Sequence, residues 1–276
     1  MHTRRLFLGG AAAALVSSSP AAALDFPIVD YHVHLNAMTL EQVAATSKER
    51  GIKYGVAEHA GTKENDYPIV LSNDADLQAW IAKLDPYPVY KGVQAEWIDW
   101  MPCFSKDAFA RLDYVLSDAM TVRDAGGKRV KAFGRDYDPG DDPEAFMNWY
   151  VDWMVEICER EPLDIFAHPT WLPRKFNPDF DKLWTPGRMK KFIDALKRTG
   201  TACEIDCGMK LPKLAFLKMA KEEGVKFSFG SNSGGRTVTD IGYSVEMAQA
   251  LGLTAKDMFV PAARGRKPIQ IRKLRS

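Results

Sequence analysis

Seven short apolar runs, separated by helical segments and each finishing on polar side chains, constrain the fold of this chain more tightly than any other feature. The runs cover residues 28–34, 53–58, 89–96, 114–119, 164–168, 202–206 and 226–230 and read as β-strands. The helix signals between them are explicit. Thr39 and Gln42 make a capping box closed by Gly51, Asp142-Pro143 and Thr185-Pro186 are cap and first-turn pairs, and Gly200 and Gly224 end later helices. Such alternation predicts a parallel sheet with covering helices, in one domain. The strands end, in order, on His34, Glu58-His59, Glu96, Asp118, His168, Glu204 with Asp206, and Ser231-Asn232. In a parallel barrel those ends gather at one mouth, the face that carries chemistry in such barrels.

The first of these strands runs into Asp30-Tyr31-His32-Val33-His34. Successive strand side chains point to opposite faces, so His32 and His34 project on the same side, about 7 Å apart along the chain. Two adjacent imidazoles at a strand end suit a divalent metal better than a hydrophobic core, with a hydrogen-bonded structural pair as the alternative. The chain has five histidines, one of them (His2) in the leader described next, so the pair is half of the remaining four.

The chain has 276 residues, 46% of them hydrophobic and 26% charged, enough for one large α/β domain. A formal charge of +1 implies no broad attraction to nucleic acid or to a membrane surface. Residues 1–23 read as a leader. Thr3-Arg4-Arg5-Leu6-Phe7-Leu8 precedes a weakly apolar run from Gly9 to Val16, followed by serines and the small-residue site Ala21-Ala22-Ala23. This matches a twin-arginine export signal cleaved after Ala23, with the export machinery as a partner and a periplasmic or otherwise exported address. The apolar run is too short for a stable membrane anchor. Residues 24–263 form the expected domain, and 264–276, with six basic residues in thirteen, a basic tail. Cys203 and Cys207 would lie about 13 Å apart if extended, too far for a bridge, and they are read as reduced together with Cys103 and Cys158.

From Ile28 to about Phe259 the chain resembles the PHP superfamily, named for polymerase and histidinol phosphatase domains. The resemblance rests on six segments in order: Asp30-Tyr31-His32-Val33-His34, Ala57-Glu58-His59, Gly92-Val93-Gln94-Ala95-Glu96, Asp164-Ile165-Phe166-Ala167-His168-Pro169, Glu204-Ile205-Asp206 and Gly230-Ser231-Asn232-Ser233-Gly234. It implies an α/β fold, a distorted seven-stranded parallel (β/α)7 TIM-like barrel. It also implies a divalent metal ion (zinc, manganese or iron), one or two per chain, and metal-assisted hydrolysis of a small phosphorylated molecule.

Departures at three places bear on the metal. In the family's Gly-Ser-Asp-Ala-His motif the aspartate is Asn232 and the histidine is Gly234, and no histidine follows the first pair in Asn36-Ala37-Met38-Thr39-Leu40. At the fourth strand end only Asp118 could bind a hard cation. The surviving set implied by the resemblance is His32, His34, Glu96 and His168, with Asn232 and Asp118 (or Asp206) as substitutes for lost ligands. A mononuclear site, or a weak dinuclear one bridged by Glu96, fits this inventory.

Glu58 and His59 are expected to move a proton, with a carboxylate salt bridge at the mouth as the structural alternative for Glu58. Asp206 orients a water or holds a strand end. Arg174 and Lys175, after the His168 strand, and Arg236, after Ser233-Gly234-Gly235, are candidate phosphate contacts because guanidinium forks suit phosphate oxygens; solvated loop charge is the alternative. Phe146, Trp149, Tyr150, Trp153, Met154 and Ile157 have helical spacing and are expected as core. Trp97 and Trp100, and Trp171 and Trp184, are placed either at the cleft or in packing. The activity that the resemblance implies is that of a metal-dependent phosphoesterase. An amidohydrolase-type enzyme and a degenerate relative that binds metal or a small ligand without turnover are the alternatives.

Overall fold

The computed structural model describes residues 24–96, 100–124 and 127–261. The strands are β1 (Val29–Val33), β2 (Lys53–Ala60), β3 (Val70–Leu71), β4 (Tyr90–Ala95), β5 (Tyr114–Ser117), β6 (Thr121–Arg123), β7 (Arg129–Lys131), β8 (Ile165–Phe166), β9 (Ala202–Asp206) and β10 (Phe227–Gly230). Seven of them close a parallel barrel in the order β1-β10-β9-β8-β5-β4-β2, with β2 returning to β1. All seven expected strands are there, most of them a residue or two shorter than their apolar runs. Two features had no counterpart in the apolar pattern. β3 pairs with β2 at His59 and Ala60, and β6 and β7 form an antiparallel hairpin beyond the β5 end.

The helices are α1 (Leu40–Arg50), α2 (Asp74–Leu84), α3 (Lys106–Phe109), α4 (Pro143–Arg160), α5 (Phe180–Leu183), α6 (Pro186–Thr199), α7 (Leu214–Glu222) and α8 (Gly242–Leu251). Their ends obey the sequence punctuation. Thr39 and Gln42 complete a reciprocal capping box, and Gly51 and Gly200 terminate α1 and α6 in the left-handed region. Among the described residues no helix is long and apolar enough to cross a membrane.

The α4 stripe packs Phe146, Tyr150, Met154 and Ile157 into the core, but Trp149 is 41% exposed and Trp153 only partly buried. Six aromatic and aliphatic residues on one helix span more than the arc that faces the barrel, so the edge of the stripe meets water. Trp184 and Trp100 are core residues bonded to Thr170 O and Glu161, Trp171 is partly buried, and Trp97 lies outside the described residues. None of the four cysteines forms a disulfide.

Inside the barrel, Tyr31 packs against Tyr90, Tyr114 and Phe259 and plugs the floor. The Tyr114 ring fits because β4 passes it at a glycine: a Cβ on Gly92 would lie 2.1 Å from the ring's Cζ. β1 carries a register shift between Asp30 and Val33. Its consequence is that Tyr31 reaches the apolar floor while the next residue, His32, reaches Glu204 and Gln94 across the barrel. The polar layer above the floor starts there.

Candidate metal centre

Four imidazoles line up across the mouth. Ring centroids are 5.0 Å apart for His168 and His32, 5.1 Å for His32 and His34, and 4.7 Å for His34 and His59; Tyr67 stacks on His59 at 3.5 Å. The histidines come from the ends of β1 and β2 and from just beyond β8, and all four are buried. Two groups of side chains have ligand atoms close enough for one ion: His32 with His168 and Glu204, and His34 with Glu58 and His59.

The two groups differ in what their atoms already hold. His32 Nδ1 lies 2.7 Å from Glu204 Oε1 and its Nε2 lies 3.1 Å from Gln94 Oε1. Gln94 in turn donates to Asp118 Oδ2 at 2.7 Å. His168 Nδ1 meets Asp206 Oδ2 at 2.6 Å, and the His168 amide donates to Glu204 Oε2 at 2.8 Å. The other group is open. Glu58 Oε1 accepts from the Leu35 amide at 2.6 Å, but His34 Nδ1, Glu58 Oε2 and His59 Nδ1 are buried without a hydrogen-bond partner. Buried polar atoms are nearly always satisfied; here Glu58 Oε2 stands 3.7 Å from His34 Nδ1 without a hydrogen bond, and each of the three side chains has a ligand atom close to the others, an arrangement that suits a cation.

Electrostatics separate the groups in the same way. Burial pushes the His34 and His59 imidazoles down, His59 to about 2, with neighbouring positive groups adding to the shift. Burial, then the nearby Asp118, raises Glu96 to about 8. Burial therefore keeps the lone pairs of His34 and His59 free. For His168 burial opposes the charge, but Asp206 against Nδ1, helped by Glu204, wins and holds the group up at about 10. His32 is raised against its own burial by Glu204. Asp206 is lowered in spite of burial by the His168 contact.

The structure thus brings His32, His34 and His168 together and sets Glu96 elsewhere. Glu96 Oε1 is 3.7 Å from His59 Nε2, and its Oε2 accepts from Thr121 on the β6–β7 hairpin at 3.0 Å. Glu204 sits beside His32 and His168, where the sequence set had Glu96. It was visible two residues before Asp206, on the same strand face, but its reach across the barrel depends on β1's register shift. Gly230 on β10 leaves room for it: a Cβ there would fall 1.9 Å from Glu204 Oε1 and 3.0 Å from His32 Cβ.

A cleft of about 300 Å3 opens over the open group, lined by His34, His59, Tyr67, Asp118, His168 and Asn232 among others. Asn36 and Gly234 also line it. His168, Thr170 and Asn232 have φ of 49°, 65° and 50°, left-handed values uncommon outside glycine that concentrate around the cleft. Tyr67, whose hydroxyl meets Glu96 and Thr121, carried no sequence signal. The cation candidates stand apart from this cleft. Arg174 and Lys175 line a neighbouring cleft, with Lys175 paired to Asp138 and Asp141, and Arg236 is exposed.

No family model matches the chain, and no curated protein matches it. Among solved structures it is similar to a histidinol phosphate phosphatase from Lactococcus lactis subsp. lactis Il1403, complexed with zinc, L-histidinol and phosphate. The TM-score is 0.60 at 15% sequence identity, over 89% of this chain and 99% of that one. An HpcH/HpaI aldolase from Desulfitobacterium hafniense DCB-2 gives a TM-score of 0.33 at 13% identity over 82% and 91% of the two chains, too low to carry an argument. The first likeness establishes a TIM-like α/β barrel.

Proposed function

We propose that the protein is an exported, metal-dependent phosphoesterase of the PHP type, acting on a small phosphorylated molecule. The observation that carries this reading is the buried group His34, Glu58 and His59, whose Nδ1, Oε2 and Nδ1 atoms make no hydrogen bond, beneath a cleft at the barrel mouth. The likeness to a phosphatase whose structure contains zinc and phosphate supports it. His34, Glu58 and His59 would hold the ion, with Glu96 beside His59. A divalent cation there supplies a water of lowered pKa and polarises the ester.

The chain's own residues do the rest. Asp206 fixes the His168 ring through Nδ1, leaving Nε2 to offer a proton to the departing oxygen. Gln94, anchored by Asp118, holds His32 through Nε2, so the His32–Glu204 pair forms a rigid wall beside His168. Asn232 offers an amide to a phosphate oxygen from the cleft wall. Binding and turnover are tested on residues 24–276 with zinc, manganese or iron and a panel of phosphate monoesters and diesters. Stoichiometric metal with turnover of at least one ester is expected; absence of both overturns the reading.

A second reading, binding of metal or a small ligand without turnover, is favoured by the neutral side chains at the mouth: Gln94 between His32 and Asp118, Asn232, and Gly234. Tight metal with no turnover of any ester or amide selects it. The leader lies outside the described residues, and its role rests on Arg4-Arg5 and the site at Ala23. Arg4→Lys with Arg5→Lys should leave the chain uncleaved and unexported, as fractionation would show. Normal export of that variant contradicts the assignment.

A further inference from the structure

A second cleft, of about 630 Å3, adjoins the mouth cleft, and Phe133 and Met209 line both. Its walls come from the segments that follow β5, β8 and β9, so it opens on the same rim of the barrel. Five cationic side chains line it, Arg135, Arg174, Lys175, Lys210 and Lys213, and no carboxylate does. Asp138 and Asp141 neutralise Lys175, and Asp181 neutralises Lys213. Arg135, Arg174 and Lys210 make no ion pair with another described residue.

In a chain of 37 basic and 36 acidic residues, a concave wall with this one-sided charge concentrates anions. Two further observations point to a ligand. Phe133, 48% exposed, lines both clefts, and Trp171 lines the second. Lys210 is held at φ 55°, a left-handed conformation rare for lysine, at the cleft's edge.

We propose that the second cleft is a distal substrate subsite, and that the substrate is a bis-anion: a phosphate ester whose aromatic or apolar body lies along Phe133 and Trp171 and whose second anionic group is held by Arg174 and Lys210. Guanidinium and ammonium groups suit a carboxylate or phosphate there, and the combined volume suits a small molecule. The inference rests on the phosphoesterase reading for its first anion and on the second cleft alone for its other end.

The test compares phenyl phosphate with its 4-carboxy, 4-carboxymethyl and 4-(2-carboxyethyl) derivatives, a series that varies the reach of the second anion. At least one carboxylated ester should exceed phenyl phosphate in kcat/KM by fivefold or more. That ratio should fall to about one in Arg174→Glu with Lys210→Glu, and partway in Arg174→Ala, whose side chain is exposed and outside the core. Equal kcat/KM across the series, or a preference that survives charge reversal, overturns the subsite. If no ester is turned over, the corresponding phosphonates are compared by calorimetry on the same proteins. A carboxylate preference lost on charge reversal then sustains the subsite while the hydrolase reading fails, and no preference sinks both.

Discussion

His34 Nδ1 and His59 Nδ1 make no hydrogen bond, with Glu58 Oε2 3.7 Å from the His34 nitrogen, whereas His32 and His168 are tied at Nδ1 by carboxylates at 2.7 and 2.6 Å. In the proposed reading, that contrast gives the first pair to the cation and the second to proton handling and scaffolding. His34→Ala or His59→Ala should lower zinc affinity by tenfold or more while leaving the melting temperature of the metal-free protein nearly unchanged, as calorimetry and thermal denaturation will show. Asp206→Asn removes the charge that holds His168 at about 10. The His168 imidazole of the metal-free variant should titrate nearer the ordinary histidine value, as NMR would record; an unmoved titration contradicts the pairing. Gly230→Ala puts a methyl on Glu204. Overpacking of this kind costs about 1–3 kcal/mol, and here it should also disorder His32. A variant as stable as the parent would mean that Glu204 can step aside.

Glu161 closes α4 and accepts from Trp100 Nε1 at 2.9 Å. Burial raises this carboxyl from 4.5 to about 8. Between those two values the folded state keeps a proton that the unfolded chain has released, so stability falls as pH rises, by up to about 1.4 kcal/mol per pH unit. Glu161→Gln keeps an acceptor for Trp100 and removes the ionisation. Its stability should therefore fall less steeply than the parent's from pH 5 to 8 in denaturant titrations, and identical slopes would contradict the buried, protonated assignment. The barrel strands and the helix caps were legible because their signals are local: apolar runs, Thr39 with Gln42, and Gly51 and Gly200. The partners of His32 were not. Whether Glu96 or Glu204 reaches it depends on a one-residue register shift in β1, on the space at Gly230 and on the hairpin that draws Glu96 to Thr121. The Arg174 and Lys175 loop was legible as cationic but not as belonging to a second cleft, because where it runs follows from how the flanking Trp171, Phe176 and Phe180 pack on the core rather than from composition.

At the scale of the whole molecule, a closed parallel barrel brings side chains 136 residues apart in sequence, His32 and His168, to ring contact at one rim. The floor is sealed by tyrosines, so the mouth is the face on which a ligand can approach the histidines. One ion at His34, Glu58 and His59 is the claim from which the chemistry follows. Anomalous diffraction from crystals of residues 24–276 grown with zinc tests it most directly. A peak is expected about 2 Å from His34, Glu58 and His59 ligand atoms. A mouth without a zinc peak at millimolar zinc, or a lone peak bound elsewhere on the surface, would contradict it.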